Sequence, residues 1–175
     1  MNEVNLRRLN NDDSDYKLLE NWYQEKKIYT HFEQRKLNYE EIKNKYYPRT
    51  LQSSKIPVYM IEYNNKPIGI IQYQKVNKDN LKLYNLKDDN CYELDIFIGN
   101  LEFHNMGIGS NAINILSQIL FDNYNAKYLI MCPLKDNIQG IRCYQKCGFV
   151  IKNKFESKDT IGNMKEYILM IKERN

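Results

Sequence analysis

The sequence of 175 residues has few of the residues that build metal sites and disulfide scaffolds. None of its 4 cysteines belongs to a Cys-x-x-Cys pair, and its 2 histidines, His31 and His104, lie far apart in the chain. A zinc site needs clustered ligands, and a disulfide scaffold needs a higher density of cysteine. We therefore expect neither a metal ion nor a disulfide framework.

Long apolar runs and an excess of one charge are also lacking. The first residues have no apolar segment of the signal-peptide type, and no later run approaches the roughly 18 apolar residues of a membrane span. We therefore expect a cytoplasmic protein with no membrane partner. Lysine and arginine total 26 against 22 acidic residues, and the lysines are scattered among the acids. Because nucleic-acid binding requires a clustered basic surface, we expect no nucleic-acid partner.

The composition that is present suits one globular domain over residues 1–175. Hydrophobic residues make up 42% of the chain and charged residues 27%, and no linker-like segment divides it. This length can bury one sizeable core. The 15 tyrosines supply amphipathic rings that can line a groove. Composition does not decide between a monomer and a homodimer.

The first 50 residues predict one strand and two helices. Val4–Leu9 is strand-like, and a helix capped by the acidic residues that follow carries apolar side chains as far as Tyr23. Tyr39–Tyr47 has a helical pattern, which we expect Pro48 to end.

A β-hairpin and a long loop are predicted next. Ile56–Tyr63 and Pro67–Tyr73 are rich in β-formers, and the Asn64-Asn65-Lys66 segment between them tolerates the positive φ of a tight turn. Residues 77–90 are polar and rich in turn formers, so we expect a surface loop there.

The second half of the chain alternates strands and helices. The predicted elements are the strand Cys91–Ile98, a helix within Gly107–Asn123, the strand Lys127–Met131, a helix over Asn137–Cys147 and the strands Phe149–Lys152 and Tyr167–Ile171. Gly148 stands in the C′ position of the second helix. This order predicts a mixed α/β sheet.

The most informative segment is the glycine turn, residues His104 to Ser110, between the strand Cys91–Ile98 and the next helix. Backbone N–H groups at a helix start have no helical partners and lie at the positive end of the helix dipole, so Gly107 and Gly109 would let a pyrophosphate approach them. The segment lacks the Gly-Lys-Ser/Thr of a P-loop. A Rossmann domain is disfavoured because a hairpin precedes the turn.

A second motif, Asn137-x-x-Gly140-x-x-x-Tyr144-x-x-x-Gly148-Phe149, follows further along the chain. Together with Gly107-Ile108-Gly109 it resembles the GCN5-related N-acetyltransferase (GNAT) superfamily. The resemblance implies a GNAT fold, with a mixed, mostly antiparallel sheet of six to seven strands, about four flanking helices and a splayed central strand pair. It also implies acetyl-CoA as the co-substrate.

The same resemblance assigns residues to the acetyl-CoA site. The pyrophosphate would lie on His104, Asn105, Met106, Gly107, Ile108, Gly109 and Ser110. His104 replaces the usual Gln or Arg, and an imidazole can still donate a hydrogen bond. The pantetheine arm would lie on Phe97, Ile98, Asn137 and Gly140, where Gly140 is a tolerable replacement for the common alanine. Tyr144 would protonate the departing thiolate. From the residues alone, helix capping by Asn137 and simple packing of Tyr144 remain open.

Three segments narrow the resemblance to the aminoglycoside 6′-N-acetyltransferases: Pro67–Gln72, Glu93–Gly99 and Gly140–Phe149. This resemblance implies acetylation of a primary amine on a small polycationic molecule and, with it, antibiotic resistance. Asp95 would accept the amine proton, because an ammonium must be deprotonated before it attacks. A structural salt bridge at Asp95 is the alternative.

Further substrate contacts are implied for Phe32, Gln72, Asp79, Glu93 and Cys132. Glu93 shares a strand face with Asp95, where two carboxylates would raise one pKa, unless Glu93 points into solvent. Cys132 stands where the family has an aspartate that contacts the aminocyclitol ring, and Glu33-Gln34 replaces a Gly-Gly pair. The acceptor is therefore less well defined than the reaction. A ribosomal-protein terminus, a polyamine, a siderophore precursor and a non-catalytic CoA-binding role remain alternatives.

Overall fold

The computed structural model describes residues 3–174, which form a seven-stranded sheet with helices on both faces. The strands are β1 (Val4–Arg8), β2 (Val58–Tyr63), β3 (Lys66–Lys75), β4 (Cys91–Ile98), β5 (Tyr128–Met131), β6 (Val150–Lys158) and β7 (Met164–Glu173). They lie in the order β1-β2-β3-β4-β5-β7-β6, and only β4 and β5 are parallel neighbours. The predicted mixed, mostly antiparallel sheet is confirmed. The predicted domain also includes Met1, Asn2 and Asn175, which lie outside the described residues.

Among residues 3–174, six α-helices flank the sheet, where about four were predicted. They are α1 (Asp13–Trp22), α2 (Lys26–Phe32), α3 (Tyr39–Thr50), α4 (Lys78–Leu83), α5 (Ile108–Asn123) and α6 (Ile138–Lys146). Helix α4 lies within residues 77–90, so the prediction of a plain loop there was wrong. The Asn77 side chain caps α4 by accepting from the Asn80 N–H, and Leu81 anchors it in the core. One cap and one buried side chain hold this short helix, which is too brief to show a period.

Pro48 lies inside α3, although the sequence predicted that it would end this helix. Proline removes one helical hydrogen bond and crowds the preceding turn. Tertiary contacts hold the last turn in place: Ile42 and Tyr46 are fully buried, and the Tyr46 hydroxyl lies 2.7 Å from that of Tyr23. The burial of one face of α3 therefore outweighs the local cost of the proline.

The predicted hairpin is present, and the last two strands form a second one. Asn64 and Asn65 have φ values of 49° and 62°, the backbone of a type I′ turn, so the β2–β3 hairpin is as predicted. The β6–β7 hairpin is longer than the predicted strands Phe149–Lys152 and Tyr167–Ile171. Within residues 3–174, no helix combines the length and apolarity that crossing a membrane demands.

The central strands β4 and β5 diverge. They pair only between Cys91–Glu93 and Tyr128–Ile130, and β4 then continues to Ile98 without a partner on that side. The predicted splayed pair is therefore confirmed. One face of β4 packs against α5 through Leu94, whereas the other face carries Asp95 toward α1, α2 and α3. The open edge of β4 thus lies between the two helical layers.

Candidate functional site

A cleft of about 790 Å³ opens where β4 and β5 diverge. It brings together most of the predicted site residues: Phe32, Asp95, Phe97, Ile98, His104, Asn105, Gly107, Ile108, Gly109, Ser110, Cys132, Asn137, Gly140 and Tyr144. Four predicted residues do not line it: Gln72, Asp79, Glu93 and Met106. Asp79 is exposed in the first turn of α4, within the segment that was predicted to be a loop. Met106 is 53% exposed.

The glycine turn presents free backbone amides to this cleft. Gly107 is the N-cap of α5 with φ of 78°, and the first helical hydrogen bond runs from the Asn111 N–H to the Gly107 carbonyl. A Cβ built at Gly107 would meet nothing within 4 Å, and one at Gly109 would meet only the Cys143 Sγ and Ile98 Cγ1 atoms at 3.9 Å. The space before the helix N-terminus is therefore open, as an anion site of this kind requires.

His104 and Asn105 hold the turn in place. The His104 Nε2 atom lies 2.8 Å from the Ile98 carbonyl and so donates to it. This bond uses the Nε2–H, which leaves Nδ1 as the ring nitrogen of His104 that could face a pyrophosphate. The Asn105 Oδ1 atom accepts from the Gln139 side chain at 3.0 Å, which links the turn to α6.

Asn137 is the N-cap of α6, as the alternative interpretation held. Its Oδ1 atom accepts from the Gly140 N–H at 3.0 Å, while the side chain still lines the cleft. A Cβ at Gly140 would lie 2.7 to 2.9 Å from the Asn137 carboxamide. An alanine at position 140 would therefore displace the Asn137 carboxamide from its capping position.

Tyr144 is buried in α6 and lines the cleft beside Phe149. Its hydroxyl has no hydrogen-bond partner among residues 3–174. Burial raises the pKa of Tyr144, and the nearby Cys143 and Asp95 add to this effect. The phenol therefore stays protonated at neutral pH and is free to donate a proton.

Asp95 is held from behind by the neighbouring strand. It pairs in register with Gln72 of β3, whose Nε2 atom donates to the Asp95 Oδ2 atom at 2.9 Å. The Gln72 Oε1 atom accepts from the Arg49 Nη1 atom at 2.7 Å. Burial raises the pKa of Asp95, whereas the Gln72 hydrogen bond and the charges of Lys45 and Arg49 lower it. Gln72 thus lies behind Asp95 and does not itself line the cleft where a substrate contact was predicted for it.

Glu93 lies inside the protein and not in solvent. Its Oε1 atom accepts from the Tyr84 hydroxyl at 3.3 Å, and the Cys132 Sγ atom lies 3.4 Å from the same hydroxyl. Burial, followed by the charge of Asp95, raises the pKa of Glu93 to about 7. Of the two interpretations left open, the structure supports the paired carboxylates. No group of three or more potential metal ligands occurs in the part of the chain that is described.

Phe32 belongs to an aromatic cluster beside Asp95. Its ring centroid lies 5.0 Å from that of Phe97 and 6.0 Å from that of Tyr23. The Lys45 Nζ atom lies 5.7 Å from the Phe32 centroid and forms an ion pair with Glu33. Burial lowers the pKa of Lys45 to about 7, and the Arg49 charge also lowers it. The side-chain amine of Lys45 therefore lies beside the aromatic rings of Phe32 and Tyr23.

The Glu33-Gln34 pair has a structural role where the family has two glycines. Gln34 has a φ of 58°, a left-handed backbone that glycine adopts most easily. Its Oε1 atom accepts from the Thr160 N–H at 3.3 Å and from the Thr160 hydroxyl at 2.8 Å. Gln34 thus adopts a glycine-like backbone and ties the end of α2 to the β6–β7 turn.

Several cleft residues were missed by the sequence analysis. Lys27 and His31 come from α2, which was not predicted, and the His31 Nδ1 atom lies 3.7 Å from the Asp136 carboxylate. Arg142 and Lys146 lie one turn apart on α6. The sequence signal for them was the spacing of two basic residues, four positions apart, on the helix that carries the second motif.

Comparisons with known proteins agree with this geometry. The sequence profile of the acetyltransferase (GNAT) domain matches residues 11–157. Aminoglycoside N(6′)-acetyltransferase type 1 of Klebsiella pneumoniae is 24% identical over 110 residues, which cover 62% of this chain and 55% of that protein. The protein of that name in Serratia marcescens matches equally. The chain thus aligns with about half the length of these curated relatives.

Solved structures show the same fold at low identity. An aminoglycoside acetyltransferase in complex with coenzyme A superposes with a TM-score of 0.81 at 20% identity, covering 98% of this chain and 95% of the other. Spermidine N-acetyltransferase from Vibrio cholerae, in complex with CoA and spermine, superposes with a TM-score of 0.77 at 20% identity, covering 97% and 95%. The profile match spans most of the sequence, and the chain therefore belongs to the GNAT acetyltransferase family.

Proposed function

We propose that this protein transfers the acetyl group of acetyl-CoA to a primary amine, and that the preferred acceptor is the 6′-amine of an aminoglycoside. The observation that supports this best is the continuity of one cleft. It runs from the free amides of the glycine turn, along the unpaired edge of β4, to Asp95 and Tyr144. A phosphate site, an extended backbone edge and an acid–base pair are the parts that direct acetyl transfer needs.

The donor end of the cleft fits acetyl-CoA. The amides of Ile108, Gly109 and Ser110 precede the first helical hydrogen bond and suit a pyrophosphate. Beyond Glu93, the β4 backbone has no β5 partner and can bond to an amide-bearing arm as a strand would. Arg142 and Lys146 line the same end and suit the remaining phosphate. Acetyl-CoA supplies the activated acyl group.

The acceptor end supplies the proton chemistry. An ammonium is not nucleophilic, and the Asp95 carboxylate both attracts it and takes its proton. The free amine then attacks the thioester carbonyl, so that the C–N bond forms and the C–S bond breaks, and its nitrogen still carries one proton more than the amide product. The Tyr144 hydroxyl donates its proton to the departing thiolate, and the surplus proton of the nitrogen restores the phenol. The raised pKa of Tyr144 keeps that proton available at neutral pH.

A linear polyamine is the second candidate acceptor. The family aspartate is absent at Cys132, and the carboxylates of Asp95 and Asp136 both line the cleft, where a flexible polycation can meet them. One of the solved neighbours was determined with spermine. Losing a desolvated ionic contact weakens binding by about 1.5–3 kcal/mol, which makes a rigid aminoglycoside sensitive to this change.

The decisive experiment is acetylation by the purified protein. The protein is incubated with acetyl-CoA and one acceptor at a time: kanamycin, tobramycin, spermidine or a peptide with the free N-terminus of a ribosomal protein. The release of the CoA thiol is measured together with the mass of the product and the position of its acetyl group. Turnover of kanamycin at the 6′-amine supports the proposal, and faster turnover of spermidine supports the second candidate. Asp95→Asn should lower kcat while acetyl-CoA affinity stays within about twofold. Tight acetyl-CoA binding without transfer to any amine would indicate a non-catalytic module instead.

A further inference from the structure

Arg49 lies outside both sequence motifs and does not line the cleft, yet it is connected to the proposed proton acceptor. Its Nη1 atom donates to the Gln72 Oε1 atom at 2.7 Å, and the Gln72 Nε2 atom donates to the Asp95 Oδ2 atom at 2.9 Å. Gln72 is only 6% exposed, so water does not compete for these bonds. Three elements, α3, β3 and β4, thus meet in one hydrogen-bonded chain.

The position of the guanidinium is itself fixed. Arg49 lies over the Tyr46 ring, with its Cζ atom 5.3 Å from the centroid. Tyr46 is fully buried, and its hydroxyl is paired with that of Tyr23. A ring held in this way limits the movement of a cation stacked on it. The direction from which the Arg49 guanidinium donates to Gln72 is therefore fixed.

This contact decides which way the Gln72 amide points. A guanidinium donates hydrogen bonds and cannot accept them, so the Gln72 oxygen must face Arg49. The amide nitrogen is then left to face Asp95, where it donates to the carboxylate and favours the ionised form. The reverse orientation would present the amide oxygen to Asp95 and favour the protonated acid.

We propose that Arg49 is a positioning residue, which orients the Gln72 amide as a donor to Asp95 Oδ2 and leaves Asp95 Oδ1 to take the proton of the acceptor amine. The Oδ1 atom accepts no hydrogen bond from the described residues, and Asp95 lines the cleft. The last part rests on the proposed function, since it requires Asp95 to act as the base. The orientation of Gln72 by Arg49 does not depend on it.

Other groups also act on Asp95 and must be counted. Those that face it or share its cleft are Lys45 and Tyr46 of α3, Tyr23 of α1, Lys27 and His31 of α2, Glu93 of β4, Cys132 after β5, Asp136, and Tyr144 of α6. The charge of Lys45 favours ionised Asp95, as Arg49 does. Glu93 opposes it once Glu93 is ionised. Arg49 differs from Lys45 in acting through the Gln72 amide as well as by charge.

The first test compares Arg49→Met with Arg49→Lys in the pH profile of kcat. Loss of the guanidinium removes support from the carboxylate, so the acid limb of Arg49→Met should move to higher pH. We expect kcat to fall about tenfold at pH 6 and to stay within about twofold of wild type at pH 9. Arg49→Lys keeps a charged donor and should restore most of the loss. Arg35→Met, which removes an exposed pair with Glu41 near the start of α3, is the matched control.

The second test does not need turnover. The Asp95 carboxyl is followed by ¹³C NMR as a function of pH, assigned by its absence in Asp95→Asn. Arg49→Met and Gln72→Met should both raise the titration midpoint of Asp95, and the double variant should raise it little beyond Gln72→Met. An unchanged midpoint, or a loss of kcat that is equal at all pH values, would overturn the proposal. If wild type acetylates no amine, the proposed function fails while this titration still tests Arg49.

Discussion

Gly109→Ala should weaken acetyl-CoA binding without harming the fold. Gly109 lies in the first turn of α5, and an added Cβ would meet the Cys143 Sγ and Ile98 Cγ1 atoms at 3.9 Å, an ordinary van der Waals contact. The protein therefore has room for the methyl group. Because alanine loses less conformational entropy than glycine in a helix, folding should gain about 0.5–1 kcal/mol. The same methyl group projects into the space where the pyrophosphate would bind.

The size of the binding loss follows from the bonds that the methyl group blocks. Each hydrogen bond from a backbone amide to a charged oxygen contributes about 1.5–3 kcal/mol. Losing one of them weakens binding by about ten- to a hundredfold. Calorimetry with acetyl-CoA measures this loss, and thermal unfolding of the free protein should show an unchanged or higher melting temperature. Stability and affinity should thus change in opposite directions.

Gly162→Ala and Gly140→Ala are the controls for this variant. Gly162 has φ of 90° with nothing within 4 Å, so alanine there costs backbone strain away from the cleft. Gly140→Ala should displace the Asn137 cap, at a cost of about 1 kcal/mol. Both controls should lower stability. If Gly109→Ala binds acetyl-CoA as tightly as wild type, the glycine turn does not hold the pyrophosphate.

Three further predictions concern other parts of the cleft. The raised pKa of Glu93 means that this residue holds its proton more tightly in the folded than in the unfolded protein. The free energy of unfolding should therefore decline as pH rises from about 4.5 to 7. Glu93→Gln should reduce this decline by up to about 3 kcal/mol, which unfolding measured as a function of pH can show. A hydrogen bond from Cys147, aided by Ser110 and Lys146, lowers the pKa of Cys143 to about 6, whereas burial raises the pKa of Cys132. Iodoacetamide should therefore label Cys143 before Cys132 at about pH 7, and acetyl-CoA should protect Cys143 from labelling. Peptide mass mapping measures both effects. Arg142→Ala with Lys146→Ala should weaken CoA more than dephospho-CoA, by about tenfold in the ratio of dissociation constants, and an unchanged ratio would place the 3′-phosphate elsewhere.

The predictions that the structure confirms rest on local rules. Asn64 and Asn65 specify their turn through their own positive φ, and the glycine turn combines a strand, an αL residue and a helix start within one short segment. Pro48 was misjudged because its effect depends on the burial of Ile42 and Tyr46 beneath the same helix. Proline does have a low helix propensity, but the packing of the buried face of α3 outweighs it at this position.

The site was predicted in outline, and its internal connections were not. Pattern and resemblance identified Asp95 and Gln72 as polar residues of adjacent strands, yet only the register shows that one supports the other. Arg49 and Lys45 carry no sequence signal, since basic residues on an amphipathic helix usually face solvent. Their roles arise where α3 crosses the sheet, a contact between residues more than 20 positions apart. Such contacts need coordinates.

The two ends of the cleft differ in how they are built, and this difference explains why the reaction is better defined than the acceptor. The donor end relies on backbone amides, which many sequences can supply as long as Gly107 and Gly109 remain. The acceptor end relies on side chains: Cys132 carries no charge, and the Lys45 amine, paired with Glu33, lies beside the aromatic rings next to Asp95. The ammonium group of a substrate must contact the same aromatic rings as Lys45. A bulky polycation therefore gains less binding energy from these rings than a slender amine would.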